Sequence, residues 1–322
     1  MSRNAWLPAS FAWLVIAFAL MAAPAPAHAQ IFLPGGEPPI PPKDSTLTIT
    51  VRPLAPGVFA AKVNFVWTGW VELPEGILLI DATPADSCAA ALADTIAARS
   101  PGKAIRYLVL THDHGDHMGG ARRFLDAGAV LVAQTGKLAD IDSVLGRPPS
   151  KTDIGITKKH RFGTAKMPVD VIWLGHPAHS AGDVIVHLPV QKILFAGDLV
   201  SYRSVPWLLD RDMSVKGWNT SLDSLYSMRA KIDSLVPGHG LIAPPLDGIR
   251  FTLAYIRDAD AKASQYAVNG TPLTAVRKWG YLGAYEGLEF YDEIHFMNIR
   301  RLYNEAKGIK TPGRIRVGAY RE

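Results

Sequence analysis

The chain reads as a mixed α/β protein in which two β-sheets lie back to back with helices outside, followed by a helical C-terminal extension. Three observations predict this. Short apolar or alternating runs recur from about residue 48 to residue 196, bounded by turn residues. Helical stretches interleave with them. After Trp218 the apolar spacing is helical in one segment after another.

The elements follow in order. Thr48–Arg52, Val58–Val63, Phe65–Trp67 and Ile77–Asp81 read as successive strands, with Asn64–Trp70 as a hairpin lip. An Ala-rich helix carrying Cys88 ends near Ser100-Pro101-Gly102. Ile105–Leu110 is a buried strand and Met118–Ala127 a helix. Strands follow at Val130–Ala133, Val171–Leu174, Val184–Leu188 and Ile193–Ala196. Lys158–Arg161 reads as a solvated loop, and Val236–Gly240 as a glycine-dependent loop. Helices are expected over Trp218–Ile232, Ile249–Ala267 and Tyr291–Ala306.

Composition narrows the class. With 48% hydrophobic and 20% charged residues, the chain is not of the disordered kind. A single cysteine cannot staple a miniprotein, so Cys88 reads as a buried thiol. A formal charge of +5, without a basic block, gives no reason to expect nucleic acid as a partner. Residues 1–29 carry Arg3, an apolar run from Phe11 to Ala23 and the small-x-small end Ala27-His28-Ala29. They read as a cleaved secretory signal, which implies a periplasmic or secreted protein without a stable membrane anchor. Residues 30–46 then form a Pro/Gly-rich leader, 47–248 the main domain and 249–322 the helical extension.

The chemistry concentrates after the strand Ile105–Leu110, in Thr111-His112-Asp113-His114-Gly115-Asp116-His117. Four metal-ligating side chains in one turn, at a strand's C-terminal end, are enough to feed two adjacent ions. His179 in His179-Ser180-Ala181-Gly182-Asp183, Asp198 in Gly197-Asp198-Leu199 and His239 in Pro237-Gly238-His239-Gly240 supply further ligand types. Each sits at a strand end or in a glycine-rich turn, where a site forms without disturbing the core.

These blocks, in this order, resemble the metallo-β-lactamase-fold metallohydrolases, specifically the glyoxalase II-like branch with a bridging Asp. The resemblance covers about residues 50–245 and implies an αββα sandwich. It implies one metal on His112, His114 and His179, a second on Asp116, His117 and His239, and Asp198 bridging them. The ions are expected to be Zn2+, with iron or manganese as alternatives because carboxylate ligands loosen the preference. A hydroxide shared by the two ions would cleave an ester, thioester or lactone in a small acyl substrate, with Asp116 orienting it and relaying a proton. Asp81 and Thr111 are expected to fix ligand imidazoles, and Trp70, Tyr202 and Trp207 to line the pocket. The competing readings are a lactam hydrolase, discouraged by an Asp at position 198 where many lactamases carry Cys or Ser, a phosphodiesterase, and a metal-binding module without turnover. A di-iron redox centre would want Glu in place of His114.

Overall fold

The computed structural model describes residues 47–309. The signal and leader expected over residues 1–46 lie outside the described residues. Twelve strands fall in the described part: β1 (Ile49–Ala55), β2 (Val58–Val63), β3 (Val66–Leu73), β4 (Gly76–Ile80), β5 (Ile105–Val109), β6 (Val130–Gln134), β7 (Ile154–Ile156), β8 (Lys159–Thr164), β9 (Met167–Trp173), β10 (Val184–Leu188), β11 (Ile193–Tyr202) and β12 (Ser234–Gly240). The helices are α1 (Asp86–Arg99), α2 (Gly115–Met118), α3 (Ala121–Asp126), α4 (Leu138–Leu145), α5 (Val215–Met228), α6 (Pro245–Val268), α7 (Leu273–Trp279) and α8 (Tyr291–Ala306).

Hydrogen bonding links the strands in the order β7-β6-β5-β4-β3-β12-β11-β10-β9-β8, with β2 on β3 and β1 on β2. The two halves of this path meet only where β3 pairs with β12, at Val66 opposite His239. Val58, Val71, Leu78 and Val109 of the first half pack in one buried cluster with Phe162, Val171, Val186 and Phe195 of the second. The halves therefore face each other across a shared apolar core. On the outer face of the first half, Trp70, Leu79 and Leu108 pack under α1 and α3 through Leu92, Ile96 and Phe124. On the outer face of the second, Leu194, Ala196 and Leu235 pack under α5, α6 and α8. The result is the layered helix–sheet–sheet–helix arrangement expected, with α6 to α8 thickening one side.

Three local readings need correction. Lys159–Thr164 is a strand, β8, and not a loop: only Phe162 of its six residues is buried. A Lys/His/Arg-rich strand suits a sheet edge, where charge deters further pairing. The expected helix over Met118–Ala127 is broken at Gly119-Gly120, where a Cβ on either residue would lie 1.9 Å from the Pro84 carbonyl oxygen or 2.4 Å from that of Ala82. Val236–Gly240 lies within β12, whose Pro237 is accommodated where the parallel ladder with β11 shifts register.

Candidate metal centre

The seven motif residues converge at the end of the sandwich where the two halves join. His112, His114, His179 and Asp198 form one group whose ligand atoms lie within 4.8 Å of one another, and Asp116, His117 and His239 form a second. The β5–α2 turn supplies His112 and His114, α2 supplies Asp116 and His117, β11 supplies Asp198 and β12 supplies His239. The Asp198 carboxylate stands between the groups: Oδ1 is 3.2 Å from His117 Nε2, and Oδ2 is 3.3 Å from both His179 Nε2 and His239 Nε2. Asp116 Oδ2 lies 3.1 Å from His239 Nε2. His114 Nδ1 and His179 Nε2 approach to 3.0 Å.

The local chain geometry places Asp198 there. The β11–β12 ladder shifts register between Phe195 and Gly197 and again before Ser201, and such irregularities re-aim a strand's side chains. A Cβ on Gly238 would stand 1.8 Å from Asp198 Oδ1, so this close approach requires glycine.

A layer of hydrogen bonds orients the rings. Asp81 accepts from Thr111 N (2.7 Å), from Thr111 Oγ1 (2.8 Å) and from His117 Nδ1 (2.9 Å). A carboxylate only accepts, so His117 carries a proton on Nδ1 and turns Nε2 to the cluster, where, against burial, Asp198 and Asp116 raise the imidazole well above its ordinary range. With its own proton committed to Asp81, Thr111 Oγ1 accepts from His112 Nδ1 at 3.0 Å, which frees His112 Nε2 in the same way. His239 Nδ1 donates to the Phe65 carbonyl at 3.1 Å. His114 Nε2 bonds Asp210 Oδ2 at 2.6 Å. Asp183 closes the turn behind His179 by accepting from Ser180 N and Oγ, each at 2.8 Å, and burial pushes its carboxyl up to about 7.

The donor set fits metal ions on an independent observation. His112 Nε2, His117 Nε2 and Asp198 Oδ1 are buried and form no hydrogen bond. Buried polar atoms without partners are costly, and these three point where ions would satisfy them. Charge agrees. Burial holds His112 well below the ordinary imidazole range and His179 down at about 3. Against the same burial, Asp198 and Asp116 lift His239 to about 10, and Asp210 lifts His114 to about 9. Asp116 is drawn down to about 2, against burial, by His117 and His239. Two ionised carboxylates focused in one buried spot call for cations.

Other expectations meet different fates. Trp70 does not reach the site: it is fully buried on the far face of β3, stacks on Phe59 with centroids 4.7 Å apart, and donates to Ser100 Oγ. Tyr202 turns its ring to Phe251 on α6, and Trp207 packs on the cluster beneath the C-terminal helices. Trp67 is core, its indole donating to the Gly240 carbonyl. Cys88 is buried, with burial raising its thiol. Outside the cluster, His176 bonds Gly217 O and Ser221 Oγ, and His295 bonds Gly280 O and the Tyr255 hydroxyl.

Sequence reasoning missed Asp210 and Lys137. Lys137 Nζ is buried 3.2 Å from Asp113 Oδ2 and 3.5 Å from Asp212 Oδ2, so it ties the ligand turn to the loop that carries Asp210. An acid in a polar loop and a lysine after β6 carry no local signal; only closure of the fold brings them together.

Comparison with known proteins agrees with this geometry. A metallo-beta-lactamase type 2 from Bacillus cereus is 27% identical over 172 residues, covering 52% of this chain and 63% of that protein. A hydroxyacylglutathione hydrolase from Rhizobium meliloti is 32% identical over 101 residues, 30% of this chain and 34% of that protein. The chain thus spans less than two thirds of the length of the curated relatives it matches. Among solved structures, a metallo-beta-lactamase from Pontibacter korlensis superposes with a TM-score of 0.57 at 23% identity, covering 65% of this chain and 99% of that one. A stereoselective inverting sec-alkylsulfatase from Pseudomonas sp. gives a TM-score of 0.61 at 18% identity, over 80% of this chain and 50% of the other. These two show the same fold. The profile of the Metallo-beta-lactamase superfamily matches residues 61–239, more than half the chain and every one of the seven clustered residues, and the protein belongs to that family.

Proposed function

We propose that the protein is a hydrolase that uses two divalent metal ions, zinc first among the candidates, to cleave an ester, thioester or lactone in a small acyl substrate. The observation that carries this reading is the Asp198 carboxylate standing between two His/Asp groups, with the buried His112 Nε2, His117 Nε2 and Asp198 Oδ1 lacking hydrogen-bond partners. Ions held there would lower the pKa of a water and polarise an acyl carbonyl.

The chain's own residues do the rest. His112, His114 and His179 would hold one ion, Asp116, His117 and His239 the other, and Asp198 both. Asp81 and Thr111 fix which nitrogen of His117 and His112 faces inward. Asp116 is 12% exposed at the open side of the cluster, where its free oxygen can orient a water and take up its proton. The likeness to a hydroxyacylglutathione hydrolase supports an acyl substrate, and a bridging Asp suits one. The likeness to two type 2 metallo-beta-lactamases favours a second reading, lactam hydrolysis. We also propose export to the periplasm or medium, with cleavage before Gln30, which N-terminal sequencing of the recovered protein reads directly.

Turnover of a panel (a thioester, an aryl ester, a homoserine lactone, a cephalosporin and a phosphodiester) by protein of measured metal content tests the reading. Metal-dependent acyl cleavage, lost in Asp198→Ala, is the expected result. Two bound ions with no acyl turnover would overturn the substrate class, and failure to bind metal at neutral pH would overturn the mechanism.

A further inference from the structure

The family match ends at residue 239, and α6 to α8 follow it. This extension does more than cover the outer sheet face. Just before α8, Glu289 forms a parallel bridge with Ser204, its carbonyl accepts from Val205 N at 2.9 Å, and its carboxylate pairs with Lys62 at 3.4 Å. Lys62 in turn donates to the Gly240 carbonyl, next to His239. Within α8, Asn298 accepts from Leu208 N and donates to the Pro206 carbonyl. These ties hold Phe290 at a φ of +66°, a left-handed conformation that bulky residues rarely adopt.

The consequence is positional. The Phe290 ring meets the His239 ring edge-on at 5.8 Å and the Phe65 ring edge-on at 5.6 Å, while Phe65 lies parallel to His239 at 5.8 Å. Both phenylalanines are half-buried. The cluster itself opens on one side. The His112, His117, His179 and Asp198 side chains are at most 4% exposed, whereas His114, Asp116 and His239 are 11–14% exposed. A substrate whose reacting carbon sits at the cluster therefore has Phe65 and Phe290 beside His239, on the more open side.

We propose that the C-terminal extension supplies the specificity wall of the site, Phe290 acting with Phe65 to take an apolar alkyl or aryl acyl group. This rests on the acyl-hydrolase reading above. Phe290 is here a specificity-determining residue, since it neither ligates a metal nor moves a proton.

The test is a series of p-nitrophenyl esters from acetate to hexanoate, in which the leaving group stays constant. Each methylene buried against the wall is worth up to about fourfold in kcat/KM. The native protein should gain along the series through KM. Phe290→Gly, which removes the ring and suits the positive φ, should flatten the gain at least tenfold by hexanoate. Metal content should stay within about twofold, acetate turnover should fall less than hexanoate turnover, and Phe290→Tyr should keep the native slope. Calorimetric titration of the metal-loaded protein with hexanoate and with acetate provides a second readout. Phe290→Gly should weaken hexanoate alone. An unchanged chain-length slope in Phe290→Gly, or an equal loss on acetate and hexanoate, overturns the proposal. Phe290-dependent hexanoate binding without any ester turnover would leave the wall standing and overturn the hydrolase reading instead.

Discussion

Replacing Asp81 by Asn is the sharpest probe of how the ligand rings are set. The substitution keeps the volume, and Asn tolerates the Asp81 φ of +61° better than other residues would. Asp81 receives three protons, from Thr111 N, Thr111 Oγ1 and His117 Nδ1. The amide oxygen can keep the Thr111 N–H bond at the Oδ1 position. At the Oδ2 position an NH2 group would then face two donors. Either donor must reverse. If His117 accepts at Nδ1, its proton moves to Nε2, the atom aimed at the cluster, and ligation is blocked. If Thr111 Oγ1 reverses, its proton loses the Asp81 acceptor, and turning it to His112 Nδ1 would put the His112 proton on Nε2. Loss of such an orienting partner typically weakens metal binding 10–100-fold, or about 1.4–2.7 kcal/mol. The metal-free protein should lose a further ~1.5–3 kcal/mol, the worth of a hydrogen bond to a charged group. Chelator-competition titration gives the first quantity and urea unfolding of the metal-free protein the second. Two ions bound per chain with affinities within threefold of the native values would refute the account of ring orientation.

Other perturbations reach different parts of the site. Gly238→Ala places a methyl on the Asp198 carboxylate, and a displacement of about 1 Å there should cost on the order of 100-fold in turnover and reduce the metal bound per chain, as elemental analysis would show. Lys137→Met leaves Asp113 buried beside an apolar chain and should destabilise the fold by about 3–5 kcal/mol in urea titrations, with Lys137→Arg recovering part of it. His295 is held below the ordinary imidazole value by burial, so the native state resists its protonation while the unfolded chain does not. Its contribution is therefore complete above pH 6.5 and declines as the pH falls from there toward the lowered native value. Thermal melts from pH 7.5 to 5 should show this decline, and His295→Gln should melt lower but with a shallower dependence.

The ligand set was legible because it is written locally: four of its seven members lie between His112 and His117, and the other three sit beside glycines in short blocks whose order repeats a family pattern. Continuous apolar runs made β4, β10 and β11 readable, since these strands are buried on both faces between the shared core and the outer helices. What the sequence concealed is set at long range. β8 has one buried residue, so periodicity had little to report. Trp70 was expected near the pocket because it ends the expected hairpin lip Asn64–Trp70, but its pairing opposite Leu79 and Phe59 turns the indole toward α1. Asp210, Lys137 and Phe290 lie 96, 23 and 176 residues from His114, and only the closed fold makes them its neighbours or those of its partners.

The narrow seam between the sheet halves has a mechanical consequence. Among the described residues one ladder pair, Val66 opposite His239, and the backbone bond from Val184 N to the Thr111 carbonyl join the halves, and each ligand group draws from both sides of that seam: His112 and His114 with His179 and Asp198, Asp116 and His117 with His239. Any ion bound there is a cross-brace. Its binding energy adds to the cohesion of the two halves, by RT ln(1 + [M]/Kd) for each site. Loading would then slow hydrogen exchange in strands far from any ligand, because separating the halves would first require releasing the ion.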